Sequence, residues 1–243
     1  MTTTILVGSV VTLLGVSGAV MGVLAAKRAA KLKELMPLSA GLLLGMAVFL
    51  IFPEALISGR WPAVIGFSVT GCVVSAVVEH YLGHAHREHE ESVGSAYLIA
   101  WLPLLIALSL HNALDGWNTS LACHLADPKL VWTFLAGMGL HKCTAGAAAG
   151  AIFRTSLRLT SRSLWAAAAA EAFTLVGLML EMSLSSSLGE QWTVWLLAAT
   201  GGSFLYLAFH ALQQARRRAS ANITFRYATF GFASVWLVSL ASR

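Results

Sequence analysis

The sequence predicts an all-α membrane protein with a bundle of eight transmembrane helices. The 243-residue chain has a mean hydropathy of +0.73, and 57% of its residues are hydrophobic. Only 11% are charged, compared with about a quarter in soluble domains. The apolar residues also form runs of about 20, the length that a helix needs to cross a bilayer. These features exclude a soluble domain, a disordered chain and a coiled coil. They predict one polytopic transmembrane domain over residues 1–243.

Eight apolar runs follow one another with short polar connections between them. The first run is preceded by no positive residue and followed by four, the reverse of a signal peptide, so we expect it to remain as a helix. The predicted spans, in chain order, are residues 5–26, 37–57, 62–82, 97–117, 130–153, 163–184, 192–212 and 227–241.

Basic residues are concentrated in the connections after spans 1, 5 and 7. Because cytoplasmic loops carry an excess of Lys and Arg, these connections are predicted to lie inside and both termini outside, in the plasma (inner) membrane. The net charge of +5 therefore comes from residues that orient the chain in a lipid bilayer. We do not expect nucleic acid as a partner. The three connections hold Lys27, Arg28, Lys31 and Lys33; Arg154, Arg158 and Arg162; and Arg216, Arg217, Arg218 and Arg226.

Polar residues interrupt spans 4 and 5, although each ionisable group is costly inside a bilayer. Span 4 contains HNALDG, with His111, Asn112 and Asp115. His111 and Asp115 are four residues apart and share one helix face, and an imidazole with a carboxylate can hold a divalent transition metal. Span 5 contains HKCTAG, with His141 and Lys142. These two spans therefore predict a metal site within the membrane.

Two further ionisable residues lie in later spans. Glu171 follows a run of alanines in span 6. We expect Lys142 to form an ion pair with Glu171 or with Asp115, which compensates the buried charge. His210 lies in span 7, and a hydrogen bond between two helices is its favoured structural role.

Residues 83–96 are predicted to form a cytoplasmic His-rich loop between spans 3 and 4. Short His-rich tracts bind metals weakly through neutral imidazoles. The alternative is a solvated polar connection without metal. The candidate ligands are His80, His84, His86 and His89.

Several segments resemble the ZIP family of divalent metal transporters (Zrt/Irt-like proteins). Span 2, SAGLLLGMAVFLIFPEAL, resembles the family's second helix, and HNALDG resembles its fourth-helix HNxx[DE]G motif. HKCTAG follows 30 positions later, where the fifth-helix motif is expected, and AEAFTLVG resembles the sixth helix with its glutamate. The His-rich segment lies where the family often carries one.

The resemblance implies that the protein transports Zn²⁺ or a similar ion, with Fe²⁺, Mn²⁺, Co²⁺ and Cd²⁺ as other candidate substrates. It implies an inverted-repeat bundle in which spans 1, 4, 5 and 6 slide against spans 2, 3, 7 and 8, and a possible homodimer. It implies metal ligands at His111, Asp115 and His141, with Asn112 and Glu171 at an adjoining metal position. His210 matches a histidine that lies along the family's transport pathway.

The chain departs from the family pattern in spans 5 and 7. Lys142 stands where the family usually has a carboxylate, and Ala145 stands where it usually has His or Glu. The fifth-helix proline is Thr144, and Ala211 replaces an acidic residue after the span 7 histidine. Because an ammonium at Lys142 occupies the place of a second cation, we expect one metal and not two. That metal would be completed by Glu171 or water.

Two other functions stay open. A ZIP-fold protein with lost or changed transport would regulate a partner or bind another solute. An intramembrane metallohydrolase would use the same residues to hold a catalytic zinc with an open water position. The second is less favoured because no Ser or Cys nucleophile motif accompanies the site, so we do not expect an enzyme.

Overall fold

The computed structural model describes residues 2–25, 35–90, 101–124, 128–185, 187, 189–218 and 220–241. Of these residues, 95% are helical and none lies in a strand. The described helices are α1 (Thr2–Ala25), α2 (Leu35–Ser58), α3 (Trp61–Glu90), α4 (Trp101–Ala122), α5 (Pro128–Leu157), α6 (Thr160–Ser185), α7 (Glu190–Arg218) and α8 (Ala221–Ala241). The all-α class predicted from the sequence is confirmed.

Each predicted span coincides with one helix over the residues that the structure describes. Five helices are long and apolar enough to cross a membrane, namely α1, α2, α6, α7 and α8. The first part of α3, Trp61–Val77, is a shorter apolar stretch. α4 and α5 carry the polar residues of the candidate metal site.

The bundle has an apolar exterior and a charged interior. Leu6 on α1 is 64% exposed and Phe230 on α8 is 67% exposed, whereas Asp115 is 1% and Lys142 0% exposed. Large exposed apolar faces and buried ionisable groups are the reverse of the pattern in a soluble domain. This distribution, together with the long apolar helices, indicates a membrane protein.

The predicted His-rich loop differs from the structure in its first half. α3 stays helical to Glu90, so residues 83–90 extend the helix, and residues 91–96 lie outside the described residues. The extension contains one alanine, one arginine and two glutamates, and it contains no proline that would end the helix. Alanine, arginine and glutamate all favour helix, which explains why α3 continues.

α2 contains one turn of π-helix over Ala47–Ile51, directly before Pro53. In this turn the Phe52 N–H donates to the carbonyl of Ala47. A proline inside a helix lacks an N–H and its ring crowds the preceding turn. The wider π turn absorbs this disturbance, so α2 continues to Ser58.

The helices associate in four close pairs, α1 with α5, α4 with α6, α3 with α7, and α2 with α8. Glycine allows this close approach. A Cβ atom at Gly18 or Gly22 of α1 would collide with the carbonyl of Cys143 or Ala147 on α5. Small residues at helix contacts are the usual means of association in lipid. The other pairs have the same contact, at Gly177 with Ala113, Gly71 with Ala199, and Gly41 with Ala228.

The four pairs form two groups of helices. One group contains α1, α4, α5 and α6, and the other contains α2, α3, α7 and α8. α5 lies at the junction, because it packs against α2 as well as against its own group. The site residues of span 5 are therefore placed in the interior of the bundle.

Candidate metal centre

The candidate centre lies where α4, α5 and α6 meet. α4 contributes His111, Asn112 and Asp115, α5 contributes His141 and Lys142, and α6 contributes Glu171. α1 closes the fourth side at Gly15, where a Cβ atom would collide with the Glu171 carboxylate and approach Lys142 Cε to 3.2 Å. The structure thus brings all six residues predicted from spans 4, 5 and 6 into one cluster.

His111, Asp115 and His141 form a possible metal-binding group. Asp115 Oδ2 lies 3.6 Å from His111 Nε2 and 3.7 Å from His141 Nε2. One ligand atom from each residue lies within 4.8 Å of the others. The two imidazole rings are 5.9 Å apart between centroids. Asp115 and His141 are buried, whereas His111 is partly exposed.

These distances are close to those of a zinc site. Four ligands held about 2.0 Å from a tetrahedral zinc ion are about 3.3 Å from one another. The separations of 3.6 and 3.7 Å are a few tenths of an ångström longer. Asp115 Oδ2 and His141 Nε2 also have no hydrogen-bond partner within the described part of the chain. Buried polar atoms are usually paired, so this pair of atoms fits a cation between them.

Ser39 on α2 orients the His141 ring. The distance between Ser39 Oγ and His141 Nδ1 is 2.7 Å. When Nδ1 carries the proton and donates to Ser39, the lone pair of Nε2 faces Asp115. A hydrogen bond on the second ring nitrogen is the usual way in which a protein fixes a metal-binding histidine. The bond also joins the two groups of helices.

Lys142 is surrounded by three polar groups. Its Nζ lies 2.6 Å from Glu171 Oε2 and 3.6 Å from Asp115 Oδ2, and it donates a hydrogen bond to Asn112 Oδ1. The separation of 3.6 Å is too long for a hydrogen bond, so the contact with Asp115 is an ion pair. The side chain is fully buried. The ion pair predicted for Lys142 is therefore present, and it involves both carboxylates.

The structure divides the predicted site residues into two sets. His111, Asp115 and His141 face one another, whereas Asn112 and Glu171 contact Lys142. With neutral imidazoles, two carboxylates and one ammonium leave a formal charge of −1. A divalent ion at the three-residue group would convert this charge to +1. The charge balance therefore suits one divalent cation better than two.

His210 lies in a separate cluster between α7 and α3. Its Nε2 pairs with Glu79 and is 2.5 Å from Gln214 Nε2, and its ring stacks with Tyr206. His210 thus joins two helices, which is the structural role favoured from the sequence. Its place on a transport pathway stays a prediction.

The described part of the structure places no histidine of α3 in the candidate metal centre. His80 is exposed on α3. The side chains of His84, His86 and His89 lie outside the described residues, so metal binding there also stays a prediction.

Sequence reasoning missed two partners of the predicted site residues. Ser39 supports His141, and Glu79 pairs with His210. Glu79 carried a usable signal, since it is a carboxylate near the end of an apolar run. Ser39 carried none, because serine is common in membrane helices and its partner lies 102 residues away.

No protein-family model matches the chain, and no curated protein matches it. The ZIP resemblance therefore rests on the sequence motifs alone.

Proposed function

We propose that the protein is a divalent transition-metal transporter of the ZIP type, with Zn²⁺ or a similar ion as substrate. The observation that carries this proposal is the convergence of His111, Asp115 and His141 inside an apolar helical bundle. Imidazole and carboxylate are ligands that suit borderline divalent metals. Ionisable groups held within a membrane commonly mark an ion pathway.

A single substrate ion binds at this centre. His111, Asp115 and His141 supply three ligands, and water completes the coordination. Lys142 holds the place beside Glu171 and repels a second cation. Three ligands and a neighbouring ammonium give weak binding, which favours release after transport. Glu171 stabilises Lys142 in the absence and the presence of substrate.

The helix pairing supports an inverted-repeat bundle. An inverted repeat would exchange α1 with α6, α2 with α7, α3 with α8 and α4 with α5. This exchange converts the α1–α5 pair into the observed α6–α4 pair. The same exchange converts α2–α8 into α7–α3. A repeat relating α1–α3 to α6–α8 would produce this correspondence. We propose eight spans with both termini outside, in the plasma membrane, and movement of one helix group past the other. A homodimer remains an expectation from the resemblance.

Zinc uptake by proteoliposomes that contain the full-length protein tests the proposal. We expect saturable uptake, and its loss in Asp115→Asn, which preserves side-chain shape but removes the ligand charge. Glu54→Gln is the matched control, since Glu54 lies on α2 outside the centre. Absence of metal-dependent flux under every imposed gradient would refute transport.

One observation favours the alternative, a ZIP-fold protein that has lost transport. The Lys142 ammonium lies 3.6 Å from the same Asp115 oxygen that faces both imidazoles. A tethered cation at this position can replace the substrate. In that case the purified protein would bind no zinc, and Asp115→Asn would change stability but not zinc affinity.

A further inference from the structure

A second group of metal-ligand side chains lies at the C-terminal ends of α4 and α6. His124 Nε2 is 3.6 Å from Glu181 Oε2. The His124 side chain is 44% exposed and the Glu181 side chain 1% exposed. α4 ends in a tight turn, in which the N–H groups of Cys123 and His124 donate to the carbonyls of Ser120 and Leu121. This turn places the His124 imidazole beside the buried carboxylate, and Cys123 directly precedes His124 in the chain.

Glu181 is poorly satisfied for a buried carboxylate. Neither of its oxygens accepts a hydrogen bond from any described residue. Burying a carboxylate without a partner is costly, and buried charges are normally paired or bound to metal. The site thus combines a buried carboxylate that accepts no hydrogen bond from any described residue with a partly exposed imidazole.

The second group shares a helix face with the candidate metal centre. Glu171, Thr174, Leu178 and Glu181 are all buried on α6, at spacings of three and four residues that keep them on one face. The Thr174 hydroxyl has no hydrogen-bond partner in the described part of the chain. Ten residues of helix separate the two glutamates by about 15 Å. Leu178 stands between Thr174 and Glu181 and packs at Gly8 of α1.

We propose that His124 and Glu181 form a second binding site for a divalent transition metal, next to Cys123 in the chain. An imidazole nitrogen beside a carboxylate oxygen suits Zn²⁺, Co²⁺ or Cd²⁺ better than Mg²⁺ or Ca²⁺, which prefer oxygen ligands alone. In the proposed transport function, this site captures ions before they reach His111, and this role rests on that function. Leu178 then acts as the apolar barrier between the capture site and the centre.

Protection of Cys123 from alkylation tests this site locally. In full-length protein with Cys72→Ser and Cys143→Ser, reconstituted in liposomes, Cys123 is the remaining thiol. The measurement is the rate of labelling by a membrane-impermeant maleimide, with and without Zn²⁺. At a zinc concentration about ten times the dissociation constant, labelling should slow about tenfold, because the free fraction of sites falls accordingly.

His124→Ala and Glu181→Gln should each lose this protection, whereas Glu54→Gln should retain it. His124 is largely exposed, so its replacement tests the site even where the Glu181 variant folds poorly. Equal protection in His124→Ala and the parent, or no protection in the parent, would overturn the proposal. Asp115→Asn should keep the protection while losing uptake. If zinc protects Cys123 in the parent protein but the parent takes up no zinc, transport is refuted and the second site is retained.

Discussion

Replacing Lys142 and Glu171 together tests whether the internal ammonium weakens zinc binding. A zinc ion about 2.0 Å from Asp115 Oδ2 would lie no more than about 5.6 Å from Lys142 Nζ, given the observed 3.6 Å between Nζ and Oδ2. At an effective dielectric constant of about 20, the repulsion at that distance is about 6 kcal/mol. Glu171 Oε2 lies 2.6 Å from Nζ, and a collinear arrangement, with Oε2 about 8.2 Å from the ion, gives about 4 kcal/mol of attraction.

The ion pair therefore opposes zinc by about 2 kcal/mol, which corresponds to about a 30-fold weaker affinity. The variant Lys142→Met/Glu171→Gln should bind zinc more tightly by that factor, as measured on purified full-length protein by competition with a fluorescent chelator. Glu171→Gln alone is the control and should bind zinc more weakly, because the ammonium then acts without compensation. A double variant with unchanged or weaker affinity would refute the electrostatic argument.

Two further substitutions test the support of the centre. Ser39→Ala should weaken zinc affinity by about tenfold, because the His141 ring loses its orienting hydrogen bond; Ser39→Thr keeps the hydroxyl, and equal affinities in both variants would contradict this. Gly15→Ala should lower stability by about 1–3 kcal/mol, because its Cβ collides with the Glu171 carboxylate. Thermal unfolding measures this effect, and Gly66→Ala, whose Cβ would meet nothing within 4 Å, should not lower the melting temperature, because alanine favours helix more than glycine does.

The sequence predicted the helices and the main site residues well, because both depend on local patterns. Each apolar run became one helix, and the polar residues that interrupt spans 4 and 5 converged. Spacing along one helix places His111 and Asp115 on the same face. The ion pair of Lys142 with Glu171 followed from the cost of isolated buried charges.

The rest depended on how the helices are rotated against one another, which a local pattern does not contain. Asn112 and Glu171 contact Lys142 in place of the metal-binding group because of that rotation. The contact of Ser39 with His141 joins α2 to α5 and has no counterpart in either segment alone. His124 follows the last apolar residues of α4, where the sequence suggested only a connection between spans.

The distribution of the three ligands between the helix groups has a consequence for movement. His111, Asp115 and His141 all belong to α4 and α5, which lie in the same group. A rigid displacement of this group would carry a bound ion with its first coordination sphere intact. The hydrogen bonds of Ser39 with His141 and of Thr200 with Asn118, which join the two groups, would have to break. Without the Ser39 hydrogen bond the His141 ring would no longer be fixed. The coordination of the ion would therefore loosen after the helix group has moved.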